Sequence, residues 1–202
     1  MIKQLLSFFL VFLILLSSNT FALNASLLQN ATHAENLRWD LIKNAKKEIF
    51  ISYYIFENDV IGLNILKESL NAKKANPSLN IKILMDGSAN YVDKKILNYF
   101  IQKGLEIKEF HPLPKLFPGL KNIKPLRFFK AISQVNQRMH DKMLLVDGEH
   151  LIVGGRNMQQ EYFNYQTEKR NFYDLDLYVH SSATGDDAKK YFLTLWDSEH
   201  IY

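Results

Sequence analysis

Residues 140–157 join an apolar hairpin pattern to a row of anion-binding groups, and few chains can satisfy both at once. A strand alternates its side chains, so His140 and Lys142 project from one face while Asp141 faces the other. Met143, Leu144, Leu145 and Val146 would bury that strand. Asp147-Gly148 would turn the chain, and His150 to Val153 would run back. Gly154 and Gly155 let the backbone approach a ligand closely, and Asn157 adds an amide donor. An imidazole that titrates near neutral pH then stands beside a fixed cation. This pair suits a phosphodiester: the amine holds a non-bridging oxygen, and the imidazole attacks phosphorus or passes a proton. A buried hairpin with an incidental histidine accounts for the apolar run. It does not account for His, Lys and Asn at these separations.

Around this hairpin, helical and extended patterns alternate. Leu37, Leu41 and Ala45 mark one helix face, followed by a strand-like run from Ile49 to Tyr54. Leu63, Leu66 and Leu70 mark a second helix that Pro77 would stop, and Ile81 to Met85 forms a strand ending at Asp86-Gly87. Val92, Ile96 and Tyr99 define a third helix with Gly104 as its cap, and Leu105 to Phe110 is extended. After the hairpin come a polar stretch from Gln159 to Asn171, a strand from Leu175 to Val179, and a helix presenting Ala188, Phe192, Leu195 and Trp196. Strands separated by helices predict α/β layers around a central sheet. No internal repeat or linker divides residues 23–202, so one domain is expected.

The first 22 residues stand apart. Lys3 precedes an apolar block from Leu5 to Leu16, and small residues lead to Ala22, the pattern of a signal peptide. The block is shorter than the roughly 20 residues that span a bilayer, which favours cleavage over an anchor. The expected location is therefore exported, periplasmic or secreted. The chain has no cysteine, which excludes disulfides, a thiol nucleophile and cysteine metal sites. Asn24-Ala25-Ser26 and Asn30-Ala31-Thr32 match a glycosylation acceptor pattern that matters only in a eukaryotic secretory route. The net charge is +4. Part of that excess lies between His111 and Lys142, where Lys115, Lys121, Lys124, Arg127, Lys130 and Arg138 face a single acid, Asp141. Prolines and aromatics interleave with them. This segment reads as a loop that attracts polyanions or an anionic membrane surface; it fits equally a solvated loop whose aromatics tuck into the core.

The spacing of His140, Lys142, Asp147, Gly154, Gly155 and Asn157 resembles the signature of the phospholipase D superfamily, HxKxxxxDxxxxxxGSxN. Gly155 stands where many members carry Ser. The Gly-Gly-x-Asn form is similar to that of bacterial members acting on phospholipids, including cardiolipin synthase-like proteins. Glu48 to Asp59, the strand ending at Asp86, and Tyr173 to Val179 with Phe192 to Trp196 extend the likeness over most of the chain. The resemblance implies a phospholipase D-like layered domain, a central mixed sheet flanked by helices. It implies that His140 forms a covalent phosphohistidine. Lys142 and Asn157, with Gly154 and Gly155, would hold the phosphate oxygens as charge develops. Asp147 joins the catalytic motif, more as a brace of its loop than as a substrate contact. An acid of the later strand commonly hydrogen-bonds the catalytic histidine; Asp174 is the candidate and Glu168 the second choice. No cofactor and no metal are implied.

The family site is built from two copies of the motif, whereas this chain carries one. His33, His111, His150, His180 and His200 all lack a lysine two residues on. A homodimer or a second motif-bearing chain would complete the site; a truncated relative of a longer protein is the third expectation. Three functions follow. One is an exported phosphodiesterase or phosphatidyltransferase acting on phospholipid. Another is a metal-independent dimeric endonuclease, since nucleic acid is bound first through phosphate. The last is an inactive anion-binding remnant.

Overall fold

The protein's structure, a computed structural model, describes residues 24–112, 138–166 and 170–201. The signal segment at 1–22, most of the basic loop and Glu168 lie outside the described residues. In chain order the elements are β1 (Asn24–Leu28), α1 (Ala31–Asn44), β2 (Glu48–Tyr53), α2 (Val60–Ala75), β3 (Asn80–Asp86), α3 (Lys94–Gln102) and β4 (Glu106–Phe110). Then follow β5 (Lys142–Val146), β6 (His150–Gly154), a 3-10 turn (Gln160–Phe163), β7 (Asp176–His180) and α4 (Ser182–Trp196).

The seven strands form one mixed sheet in the order β1-β7-β6-β5-β2-β3-β4. β2, β3 and β4 are parallel, because α2 and α3 carry the chain back across one face between them. All other pairings are antiparallel. Local chemistry starts each helix. Asn30, Asp59, Asp93 and Ser181 each accept a backbone N–H of the first turn, satisfying donors that a helix start leaves open. Gly104, at φ 100°, ends α3 as expected.

Strand alternation sorts the core into two layers. Ile51, Tyr53, Ile83, Leu144, Val146 and Ile152 pack beneath α1, α2 and α3. Phe50, Leu84, Met143, Leu145 and Val179 face α4, where Phe50 stacks on Phe192 at 4.9 Å and Phe192 on Trp196 at 5.7 Å. The α/β expectation therefore holds, with helices on both faces of a mixed sheet. β1 is an additional strand that the apolar pattern of the sequence does not mark. Asn24 pairs with His180 at the sheet edge, and Asn30 caps α1, so both asparagines of the glycosylation acceptor pattern have structural positions.

A buried ionic clamp ties the antiparallel half to α1. Asp176 Oδ2 accepts from Arg38 Nη2 at 2.8 Å and from Arg156 Nη1 at 3.0 Å. Asp176, Arg38 and Arg156 are each 1% exposed. Arg156 also donates to the carbonyls of Leu28 and Gln29, both at 2.8 Å, and Arg38 to that of Ala34. Burial alone would lower the Arg38 pKa, but Tyr53 and Asp176 outweigh it and hold the guanidinium above its ordinary value. Removing one member of such a group leaves buried charge without a partner. Asp176→Ala is expected to cost about 3–5 kcal/mol in chemical denaturation, against about 1 kcal/mol for Asp174→Ala, whose carboxylate makes one local hydrogen bond.

Candidate active site

The sheet gathers five segments at one end. β2 and β3 run out there into Tyr54-Ile55 and Asp86-Gly87. β5 begins there with His140 to Lys142, β6 ends at Gly154, and β7 begins after Asp174. Open α/β sheets place ligands outside the carboxyl ends of their parallel strands, and the candidate residues lie there.

His140 is exposed, and Lys142 Nζ stands 3.1 Å from its Nδ1 and 3.0 Å from its carbonyl oxygen. The Tyr54 ring lies against the imidazole at 4.6 Å, with Lys142 Nζ 5.6 Å from the same ring. Asn157, 3% exposed, accepts from Ile55 N–H at 3.1 Å and donates to the Tyr162 hydroxyl at 3.3 Å. One backbone step, Tyr54 to Ile55, therefore links the histidine's neighbour to the asparagine. Asp86, wholly buried, accepts Met139 N–H at 3.1 Å and meets Arg138 at 3.4 Å. It fixes the backbone immediately before His140. In the sequence Tyr54 and Asp86 read only as strand ends; the structure brings both against the His140 segment.

The carboxylates divide by environment. Asp141 points to the opposite face, as alternation requires, and accepts from Tyr191 Oη at 3.0 Å and from Ser52 Oγ at 3.3 Å. Burial raises its pKa against those hydrogen bonds and against the charges of Lys142 and His140. With Lys142, Met143, Val153, Gly154, Ala188 and Tyr191 it lines a groove of about 340 Å³. Asp147 sits at the far end of β5, about 16 Å from Lys142 at roughly 3.3 Å per residue. Its carboxylate accepts the N–H groups of Lys46, Lys47 and Glu48 at 2.7–3.1 Å, which supports its own φ of 55° in the turn. Asp147 braces the hairpin and touches nothing at His140, so its place among the catalytic residues is corrected to that of a positioning residue.

Asp174 also departs from expectation. Its Oδ1 accepts Leu175 N–H at 2.8 Å, and among the described residues no carboxylate hydrogen-bonds the His140 ring. The carboxylate instead occupies the space over Gly155, where an added Cβ would run into it. Over Gly154 a Cβ would collide with Asp176 and the Leu175 carbonyl. The Gly155 departure from Ser thus has a local cause: Asp174 fills the place a side chain would take. Asp174 acts on Lys142. Burial lowers the Lys142 pKa, and the fields of Asp174 and Asp141 pull it partly back.

The family described as "Cardiolipin synthase, PLD-like domain" matches residues 39–196. The chain belongs to the phospholipase D superfamily. Cardiolipin synthase of Clostridium perfringens strain SM101 is 30% identical over 153 residues, covering 75% of this chain and 29% of the relative. The phospholipase D-like fold recurs in phosphatidylserine synthase of Haemophilus influenzae Rd KW20, with a TM-score of 0.65 at 18% identity over 88% of this chain and 38% of that one. NucT from Helicobacter pylori gives 0.61 at 18% identity over 87% of this chain and 97% of that one. The chain spans about a third of the length of the curated relatives it matches.

Within this phospholipase D-like site, the Asp174 carboxylate favours the charged form of Lys142. Asp174→Asn removes that field, so the Lys142 pKa falls further below the ordinary lysine value. The ¹³Cε resonance of Lys142 is expected to titrate at lower pH in Asp174→Asn. Gly155→Ser, which displaces the carboxylate, should shift it in the same direction. An unchanged titration in both variants would contradict the coupling.

Proposed function

We propose that the chain is an exported phosphodiesterase or phosphatidyltransferase acting on phospholipid through a phosphohistidine on His140. The observation that carries this reading is the ammonium of Lys142 at 3.1 Å from the His140 ring nitrogen, on a family match to cardiolipin synthase-like domains. An ammonium donating to Nδ1 leaves the neutral ring's proton on Nε2. A phosphate that draws Lys142 onto its own oxygen frees Nδ1 to carry the proton, and Nε2 then holds the lone pair that attacks phosphorus. Lys142 compensates charge gained by the phosphoryl oxygens, and the segment anchored by Asn157 closes that pocket. The bond from Nε2 to phosphorus forms as the bond to one alcohol oxygen breaks. That oxygen takes a proton from a second histidine, supplied by a dimer mate or another motif-bearing chain. Water or an acceptor alcohol then releases the phosphoryl group. Export rests on the signal pattern at 1–22, and membrane contact on the basic loop before His140.

A second reading, a metal-independent dimeric endonuclease, is favoured by size: the likeness covers 97% of the solved NucT chain and 87% of this one. Purified protein incubated with phosphatidylglycerol vesicles, phosphatidylcholine vesicles and plasmid DNA separates the two. Headgroup release or cardiolipin formation is expected, lost by at least about 10³-fold in His140→Ala with the melting temperature unchanged. Nicked DNA with intact lipid would move the assignment to the nuclease. Silence on every substrate would leave an anion-binding remnant.

A further inference from the structure

The end of the β5–β6 hairpin remote from His140 holds a second cluster of functional groups. His150 and His180 are direct partners in the β6–β7 ladder, so their side chains leave the same face of the sheet. Their rings stack at 4.3 Å with an interplanar angle of 18°. Glu149 reaches over both: Oε1 lies 3.9 Å from His150 Nε2, and Oε2 lies 3.8 Å from His180 Nε2. One donor atom from each of the three residues lies within 4.8 Å of the other two. The cluster is not visible in the sequence, because His150 and His180 meet only through strand pairing.

We propose that Glu149, His150 and His180 bind a single zinc ion that staples β6 to β7. Two imidazoles and one carboxylate form a donor set that suits Zn²⁺ and disfavours Mg²⁺ and Ca²⁺, which seek oxygen ligands. Bonds of about 2.0–2.1 Å in tetrahedral geometry separate ligand atoms by about 3.3 Å, so small side-chain rotations close the present spacing. The orienting contact is already in place. His150 Nδ1 lies 2.8 Å from the Tyr178 hydroxyl. When Nδ1–H donates to that oxygen, Nε2 presents its lone pair to the metal, as supporting hydrogen bonds do around ligating histidines. The backbone beneath is fixed. Gly148 (φ 74°) turns the chain, its carbonyl packs against Gly185 of α4, and the Glu149 carbonyl accepts Ser181 N–H at 2.9 Å. The ligand side chains remain 25–47% exposed, which leaves a coordination position open to water.

The test uses the full chain, stripped with a chelator and titrated with ZnCl₂ by calorimetry, with melting temperature followed in parallel. The expected result is one saturable ion per chain and a higher melting temperature with zinc, with no shift from Mg²⁺ or Ca²⁺. His180→Asn should weaken zinc binding at least about tenfold while its metal-free melting temperature matches that of the wild type. Glu149→Gln, in an exposed turn, gives the same readout if the strand variant folds poorly. His140→Ala should bind zinc as the wild type does, which keeps this site separate from the proposed chemistry. Failure to saturate, equal affinity in the His180 and Glu149 variants, or loss of the ion in His140→Ala would each overturn the proposal.

Discussion

Two guanidinium groups converge on one buried carboxylate, and the placement of the active-site strands depends on that meeting. Arg38 belongs to α1, Arg156 follows the glycine pair, and Asp176 opens β7, so the clamp joins three segments distant in sequence. Burial makes each of these charges costly alone. Together with the carbonyls of Leu28, Gln29 and Ala34, they pair every terminal guanidinium nitrogen, while Arg156 Nε stays buried without a partner. Because Arg156 lies between Gly155 and Asn157, fixing its side chain also fixes the turn that delivers Asn157 to Ile55. Tyr53 extends the effect, since its hydroxyl meets Arg38 Nε at 3.3 Å while its backbone pairs with Lys142.

Four aspartates of the hairpin and its neighbouring strand show how environment assigns different tasks to one side chain. Asp176 is sealed and fully paired, so it serves as structure. Asp147 accepts three backbone N–H groups at the far end of its strand, a geometry that holds a turn with positive φ. Asp141 faces the groove beside α4, where burial raises its pKa and two hydroxyls hold it. Asp174 is half-buried beside Gly155, where its field supports the charge on Lys142. The Gly155 position and the segment leading into β7 are thus coupled: with no side chain at 155, the Asp174 carboxylate occupies the space.

Much of this was legible in the sequence. Alternation placed His140 and Lys142 on one face and Asp141 on the other, and periodicity separated the helices from the strands. The hidden parts depend on tertiary partners. Asp174 and Asp176 are equivalent in pattern, both polar at a strand entry; only the buried arginines on other segments decide which becomes structural. β1 has too little apolar character to announce itself, because as an edge strand it owes its existence to the β7 ladder. Tyr54 follows the last residue of β2 and reads as an ordinary strand aromatic until the chain beyond it brings the imidazole against its ring.

The β6–β7 ladder brings these arguments together, because its register is specified from both ends. At one end Gly154 faces Asp176, and at the other His150 faces His180. A slip of one residue would turn every side chain of β7 to the opposite face. Asp176 would then leave both arginines, and the two imidazoles would separate. A metal held by the histidine pair would therefore favour the same alignment as the ionic clamp, some four residues away along the strand. The His140 end would gain rigidity without any contact between the ion and the His140–Lys142 pair, since Gly154, Arg156 and Asn157 follow directly from the strand that both devices hold in place.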